Sequence, residues 1–173
     1  PLARVFSTTG ADGVTRVLGE TISHTGLVIM IFQFMISRLF ERWRAVPSFF
    51  FGLLVLVVGF GVIGYARTGA PALVFLGIIL FAIGEMIASP RLQEYITWIA
   101  PKEKAGLYMG MNFLATMIGG ALSGVTYTSL YGTFTDMNHP EYIWYTLGAH
   151  TLVGLILLMI FTMTLGEFKE QEQ

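Results

Sequence analysis

Glu85 lies within an apolar helical run, Ala82 to Pro101 (AIGEMIASPRLQEYITWIAP). A carboxylate at the centre of a bilayer costs a few kcal/mol even on insertion scales, so it calls for a partner, a wet cavity or a purpose such as holding a cation or a proton. Three residues apart further along the run, Arg91 and Glu94 can pair with each other as helical neighbours do, or with Glu41 and Arg42 after an earlier apolar segment. Such pairs read either as a solvated helix end or as a gate whose ion pairs break and re-form. His150 could relay protons within a later apolar segment, or simply hydrogen-bond there as a packing residue.

Other constellations are weaker. Gly59, Gly61 and Gly64 spell GxGxxG, but the dinucleotide fingerprint needs a preceding strand and a helix opening at the glycines. Here the glycines sit inside an apolar span that must stay helical in lipid, so helix packing explains them. GxxxG occurs at Gly106 and Gly110 and again at Gly120 and Gly124, where packing on a neighbouring helix is expected. His139 and Asp136 fall in the polar stretch TFTDMNHPE and are expected to be solvated. No paired carboxylates, Ser-His-Asp set or phosphate cradle appears, so neither enzymatic activity nor a cofactor is expected. With no Cys and three unclustered His, a metal site is not expected.

The elements that must position these groups follow from composition. Hydrophobic residues make up 54% of the 173 and charged residues 12%, against roughly 25% charged in soluble domains. The expected class is an all-α polytopic membrane protein. A net charge of −1, with basic residues scattered between helices, argues against a nucleic-acid partner. Apolar segments of about 20 residues predict five spans within 21–166, at about 21–43, 47–66, 72–100, 105–131 and 141–166. Segments 1–20 and 167–173 flank them. The chain opens with Pro1 and shows no signal-peptide pattern, so it reads as a fragment; an odd number of spans in a chain that begins outside leads to the expectation that at least one earlier helix precedes it.

Arg38, Arg42, Arg44, Arg91, Lys102, Lys104 and Lys169 fall on one side of these spans, and Arg4, Arg16 and Arg67 on the other. The first side is expected to be cytoplasmic, with 167–173 an inner tail and 1–20 extracytoplasmic. The fourth span carries Tyr108, Asn112, Thr116, Gly119, Ser123 and Thr126 on one face, and the first repeats the pattern with Gly26, Met30, Gln33 and Ser37. Ala82, Ala88 and Ser89 surround Glu85 in the third. These stripes read as cavity walls or as surfaces for close helix packing. The second and fifth spans, with few polar side chains, read as outer helices.

The stretch GEMIASPRLQEYITWIAPKEKAGLYMGMNFLATMIGGALSG (84–124) resembles helices ten and eleven of major facilitator superfamily transporters, most closely the proton-dependent oligopeptide transporter branch. Glu41 and Arg42 within SRLFERWRAVPSFFFG resemble a degraded copy of the acidic-basic loop that joins paired helices in that superfamily. The resemblance implies the eighth to twelfth helices of a twelve-helix fold, completed by an N-terminal half of the same transporter. It implies alternating access for a small solute, di- or tripeptides with protons being one option, in a plasma or inner membrane whose lipids surround it. Glu85 then matches a glutamate that faces the substrate's amino group. Gln33, Ser89, Tyr108, Asn112 and Thr116 join it as candidates for binding or proton coupling, and Arg91, Glu94, Glu41 and Arg42 as candidates for a gate. Asn112 stands where that branch has a tryptophan, and Arg91 and Glu94 where it has uncharged residues, which leaves a non-peptide solute as the alternative. A non-transporting membrane module, with Glu85 held by a fixed partner, is the rival from another class.

Overall fold

A computed structural model describes residues 8–9, 15–16, 18–66 and 71–164. Five α-helices account for nearly all of them: α1 (Leu18–Phe40), α2 (Ala45–Tyr65), α3 (Pro71–Ile99), α4 (Ala105–Asp136) and α5 (Tyr142–Thr164). A 3-10 turn, Lys102–Lys104, precedes α4. Two-residue strands β1 (Thr8–Thr9) and β2 (Thr15–Arg16) pair antiparallel ahead of α1. Four helices are long and apolar enough to cross a membrane, within Ala45–Tyr65, Ala72–Ile99, Lys102–Asp136 and Tyr142–Thr164; in α1 the described apolar part is Ile29–Phe40. Most of the expected extracytoplasmic segment 1–20, and all of the tail 167–173, lie outside the described residues.

Local chemistry explains the ends. The first helix stops at Phe40, short of the expected Trp43: Glu41, Arg42 and Trp43 turn, and the Trp43 amide donates to the Phe40 carbonyl at 2.9 Å. Pro47 falls in the first turn of α2, where its missing N–H would have had no helical partner. Pro101 ends α3, because the residue before a proline disfavours helical geometry. The fourth helix runs past the expected Tyr131 to Asp136. It stops where Asn138 adopts a left-handed conformation, with φ of 60°. The His139 amide donates to Phe134 O and the Asn138 amide to Thr135 O, a Schellman closure that satisfies the terminal carbonyls. At about 1.5 Å per residue, α3 and α4 exceed the ~30 Å hydrocarbon core.

The core is a seam between α2 and α3, built by glycines seven apart on each helix. A Cβ at Gly52 would lie 2.8 Å from the Ala88 nitrogen, and one at Gly84 2.7 Å from the Gly52 oxygen. Further out, a Cβ at Gly59 would lie 2.8 Å from the Phe81 nitrogen and one at Gly77 2.9 Å from the Ile63 nitrogen. Backbone meets backbone there, which suits membrane helices that associate by van der Waals contact. Of the GxGxxG glycines, Gly59 belongs to this seam and Gly64 lies under the Tyr145 ring of α5, while Gly61 faces open space.

On its other side α2 takes α5, with Gly148 close to Phe60 and Trp144 stacked on Phe60 at 6.4 Å. The first helix packs on α3, and α4 touches α3 and α5 only lightly. No residue of α4 is buried, and nothing lies within 4 Å of a Cβ built at Gly106, Gly110, Gly119, Gly120 or Gly124. The packing expected of the two GxxxG motifs is therefore not made within the described residues. A GxxxG spacing permits close approach without selecting a neighbour.

Candidate functional site

Glu85 lies on α3 beside the glycine seam, about 100° round the helix from Gly84 and about 60° from Ala88. Ala82, Gly84, Met86, Ile87, Ala88 and Arg91 are buried, whereas Glu85 and Ser89 are exposed. Ala82 and Ala88 flank Glu85 at about 60° on either side, as expected, and both are buried where Glu85 is exposed. The exposed line continues through Gln93 and Thr97, so Glu85, Ser89, Gln93 and Thr97 recur every fourth residue on one face. The Thr97 hydroxyl donates to the Gln93 carbonyl at 2.9 Å. Gln93 and Thr97 escaped the sequence reading because the charged pair Arg91 and Glu94 stands out there as a helix end or gate. Their spacing from Glu85 was the signal. Among the described residues, no hydrogen bond or ion pair holds the Glu85 carboxylate.

Gln33 bridges α1 and α3. Its Nε2 donates to Ser37 Oγ at 3.0 Å within α1, and to the Met86 carbonyl of α3 at 3.1 Å. Met86 is four residues before Pro90, and proline has no N–H to give the carbonyl at i−4. Gln33 thus supplies a donor where α3 lacks one.

Tyr108, Asn112 and Thr116 follow one another every fourth residue along α4, with Tyr108 and Thr116 exposed and Asn112 half-buried. Thr116 Oγ1 donates to the Asn112 carbonyl at 2.9 Å, and Thr128, Ser129, Thr133 and Thr135 likewise bond to their own helix. Among the described residues no hydrogen bond joins these α4 residues to Glu85 or Gln33. The two sets of candidate site residues remain on separate helices.

The charged residues toward the C-terminal ends of α1 and α3 are engaged differently. Arg91 is buried, at 8% exposure; one of its terminal nitrogens donates to Glu94 Oε2 at 2.5 Å and the other to the Phe40 carbonyl, at the last residue of α1. The positive charge thereby meets a carboxylate and a helix C-terminus, both of which favour it. Glu41 pairs with Arg38 at 3.4 Å, both well exposed, which contributes little. Arg42 makes no ion pair among the described residues. Glu41 nonetheless lines, with Ser37, Phe40, Met86, Arg91 and Glu94, a cavity of about 310 Å³ between α1 and α3.

His150 and His139 each have one ring nitrogen engaged. His150 Nδ1 donates to the Thr146 carbonyl one turn earlier at 2.8 Å. His139 is held rather than simply solvated: it bonds Glu141 at 2.8 Å and its ring stacks on Tyr142 at 4.7 Å. Among the described residues no cluster of side chains could hold a metal ion.

The family model described as Major Facilitator Superfamily matches residues 15–172. Similar proteins include "Multidrug resistance protein MdtH" of Yersinia enterocolitica, 30% identical over 122 residues that cover 69% of this chain and 28% of that protein. The protein of the same name from Aeromonas hydrophila is 27% identical over 148 residues, 85% of this chain and 37% of its own. That from Edwardsiella ictaluri is 30% identical over 118 residues, covering 68% and 29%. The chain spans about a third of the length of these curated relatives. No solved structure matches it.

Proposed function

The chain belongs to the major facilitator superfamily, and we propose that it supplies the eighth to twelfth helices of a secondary transporter moving a small non-peptide solute by alternating access. The observation that carries this reading is the exposed line Glu85, Ser89, Gln93 and Thr97 on α3, running beside a face packed through glycine. A polar line of that length on a membrane helix is tolerated where it borders a wet cavity or another polar helix. Glu85 would hold a cationic group or a proton at its upper end, with Ser89 below it. Tyr108, Asn112 and Thr116 would close the cavity when α4 meets the rest of the transporter.

The inner charges fit a gate. Arg91 ties α3 to the end of α1 and to Glu94, so opening this end requires those bonds to exchange, while Glu41 and Arg42 stand ready at the rim as alternative partners. The concentration of Lys and Arg at this end favours a cytoplasmic location for it and for the C-terminus, in a plasma or inner membrane.

The name carried by the similar proteins favours drug-like solutes over peptides. The di- or tripeptide reading rests on the resemblance of residues 84–124 alone and comes second. Uptake assays with the full-length transporter in proteoliposomes, under an imposed proton gradient, separate the two: ethidium should move and a labelled dipeptide should not. Dipeptide movement without ethidium movement would reverse the preference. Movement of neither, nor of other small solutes, would favour a non-transporting module.

A further inference from the structure

Pro90 lies inside α3, just over one turn beyond Glu85. Such a proline removes the bond from its own nitrogen to the carbonyl at residue 86 and weakens the helix against bending. In a membrane the freed carbonyl must find another donor. Here the donor is the side-chain amide of Gln33, at 3.1 Å from Met86 O. On the far side of the proline, Arg91 reaches back to the Phe40 carbonyl. Gln33 and Phe40 both belong to α1, so one helix grips α3 on each side of its weak point.

We propose that Gln33 is a positioning residue, its amide replacing the N–H that Pro90 withholds from Met86, so that α1 splints α3 across the proline and holds Glu85 in register with Ser89, Gln93 and Thr97. Both hydrogens of the Gln33 amide are committed, one to Met86 O and one to Ser37 Oγ, which leaves no donor for a solute. Bending α3 at Pro90 would swing Gln93 and Thr97 relative to Glu85, and it requires the Gln33 bond or the Arg91 bond to break. This deepens the transporter reading and rests on it for its consequence in transport, but the hydrogen bond itself can be tested without it.

The test uses the full-length transporter with Gln33→Leu, Pro90→Ala and the two combined. Leucine removes the donor; alanine at 90 returns a backbone N–H to the Met86 carbonyl. Amide hydrogen exchange over residues 84–95 should rise about tenfold in Gln33→Leu, as expected for a buried carbonyl left without a partner, and fall back to the parental rate in the double variant. Ethidium transport should be lost and regained in parallel. Unchanged exchange in Gln33→Leu, or exchange that stays raised in the double variant, would overturn the proposal. So would transport lost in both variants with normal exchange, which would make Gln33 a solute contact. If Gln33→Leu does not accumulate as folded protein, recovery of folded yield in the double variant supports the proposal and its failure refutes it. Should the parent move no ethidium, the transporter reading suffers while the exchange result still decides the role of Gln33.

Discussion

The guanidinium of Arg91 donates to the carbonyl oxygen of Phe40, joining the C-terminal third of α3 to the last residue of α1. Its other terminal nitrogen is taken by Glu94, one turn further along α3. A buried cation thus ends one helix and anchors another.

Removing that cation leaves a helix C-terminus and a half-buried carboxylate without their donor. Breaking one partner of a buried pair costs about 3 kcal/mol, so Arg91→Met should lower the melting temperature of the detergent-solubilised transporter by several degrees. The exposed Arg38, also paired with a glutamate, should matter by no more than about 0.5 kcal/mol when replaced by Met. Equal melting of the two variants would show that the Phe40 and Glu94 contacts carry no stability.

Two glycines two residues apart on α2 should respond oppositely to alanine. At Gly59 the new methyl meets the backbone of Phe81, whereas at Gly61 it meets nothing within 4 Å. Gly59→Ala should cost about 1–3 kcal/mol through overpacking. Gly61→Ala should be neutral, or stabilising by up to about 1 kcal/mol through helix propensity. Thermal or denaturant unfolding of the two variants side by side provides the check.

Glu85→Gln separates a working carboxylate from a packing one, because the amide keeps the size and loses the charge. On the transporter reading, solute movement should fall at least about tenfold, the loss expected of a charge-assisted contact, with folded yield retained. Normal transport with an unaltered pH profile would remove Glu85 from the mechanism. Loss of folded protein would point to a fixed partner elsewhere in the full-length transporter.

The α3 stripe makes a prediction about water. In this Cys-free chain, single cysteines at Ser89, Gln93 and Thr97 should react with a membrane-impermeant thiol reagent in inside-out vesicles. Cysteines at Ala82 and Ala88, which are buried, should stay protected. Uniform protection at all five positions would place the stripe against lipid or another helix. A cysteine at Lys104 should react from the same side only; labelling from outside intact cells would invert the topology.

The sequence by itself determined the class of this protein, because hydropathy over 20 residues and the distribution of Lys and Arg are local quantities. A helix in lipid must satisfy its own backbone whatever surrounds it. The singular carboxylate at Glu85, with Ser89 near it, was legible for the same reason, although the line's continuation through Gln93 and Thr97 was not. Only the tertiary structure decided which helices meet. It divided the residues around Glu85 between an exposed face and a packed one, and placed Gly52, Gly59, Gly77 and Gly84 in a seam while leaving the GxxxG pairs of α4 open. It also gave Gln33 a partner 53 residues away, at a carbonyl that only Pro90 leaves short of a donor. Spacing along one helix fixes which residues share a face, but the identity of the neighbour depends on shape and hydrogen-bonding need across two helices, and no single segment contains that information.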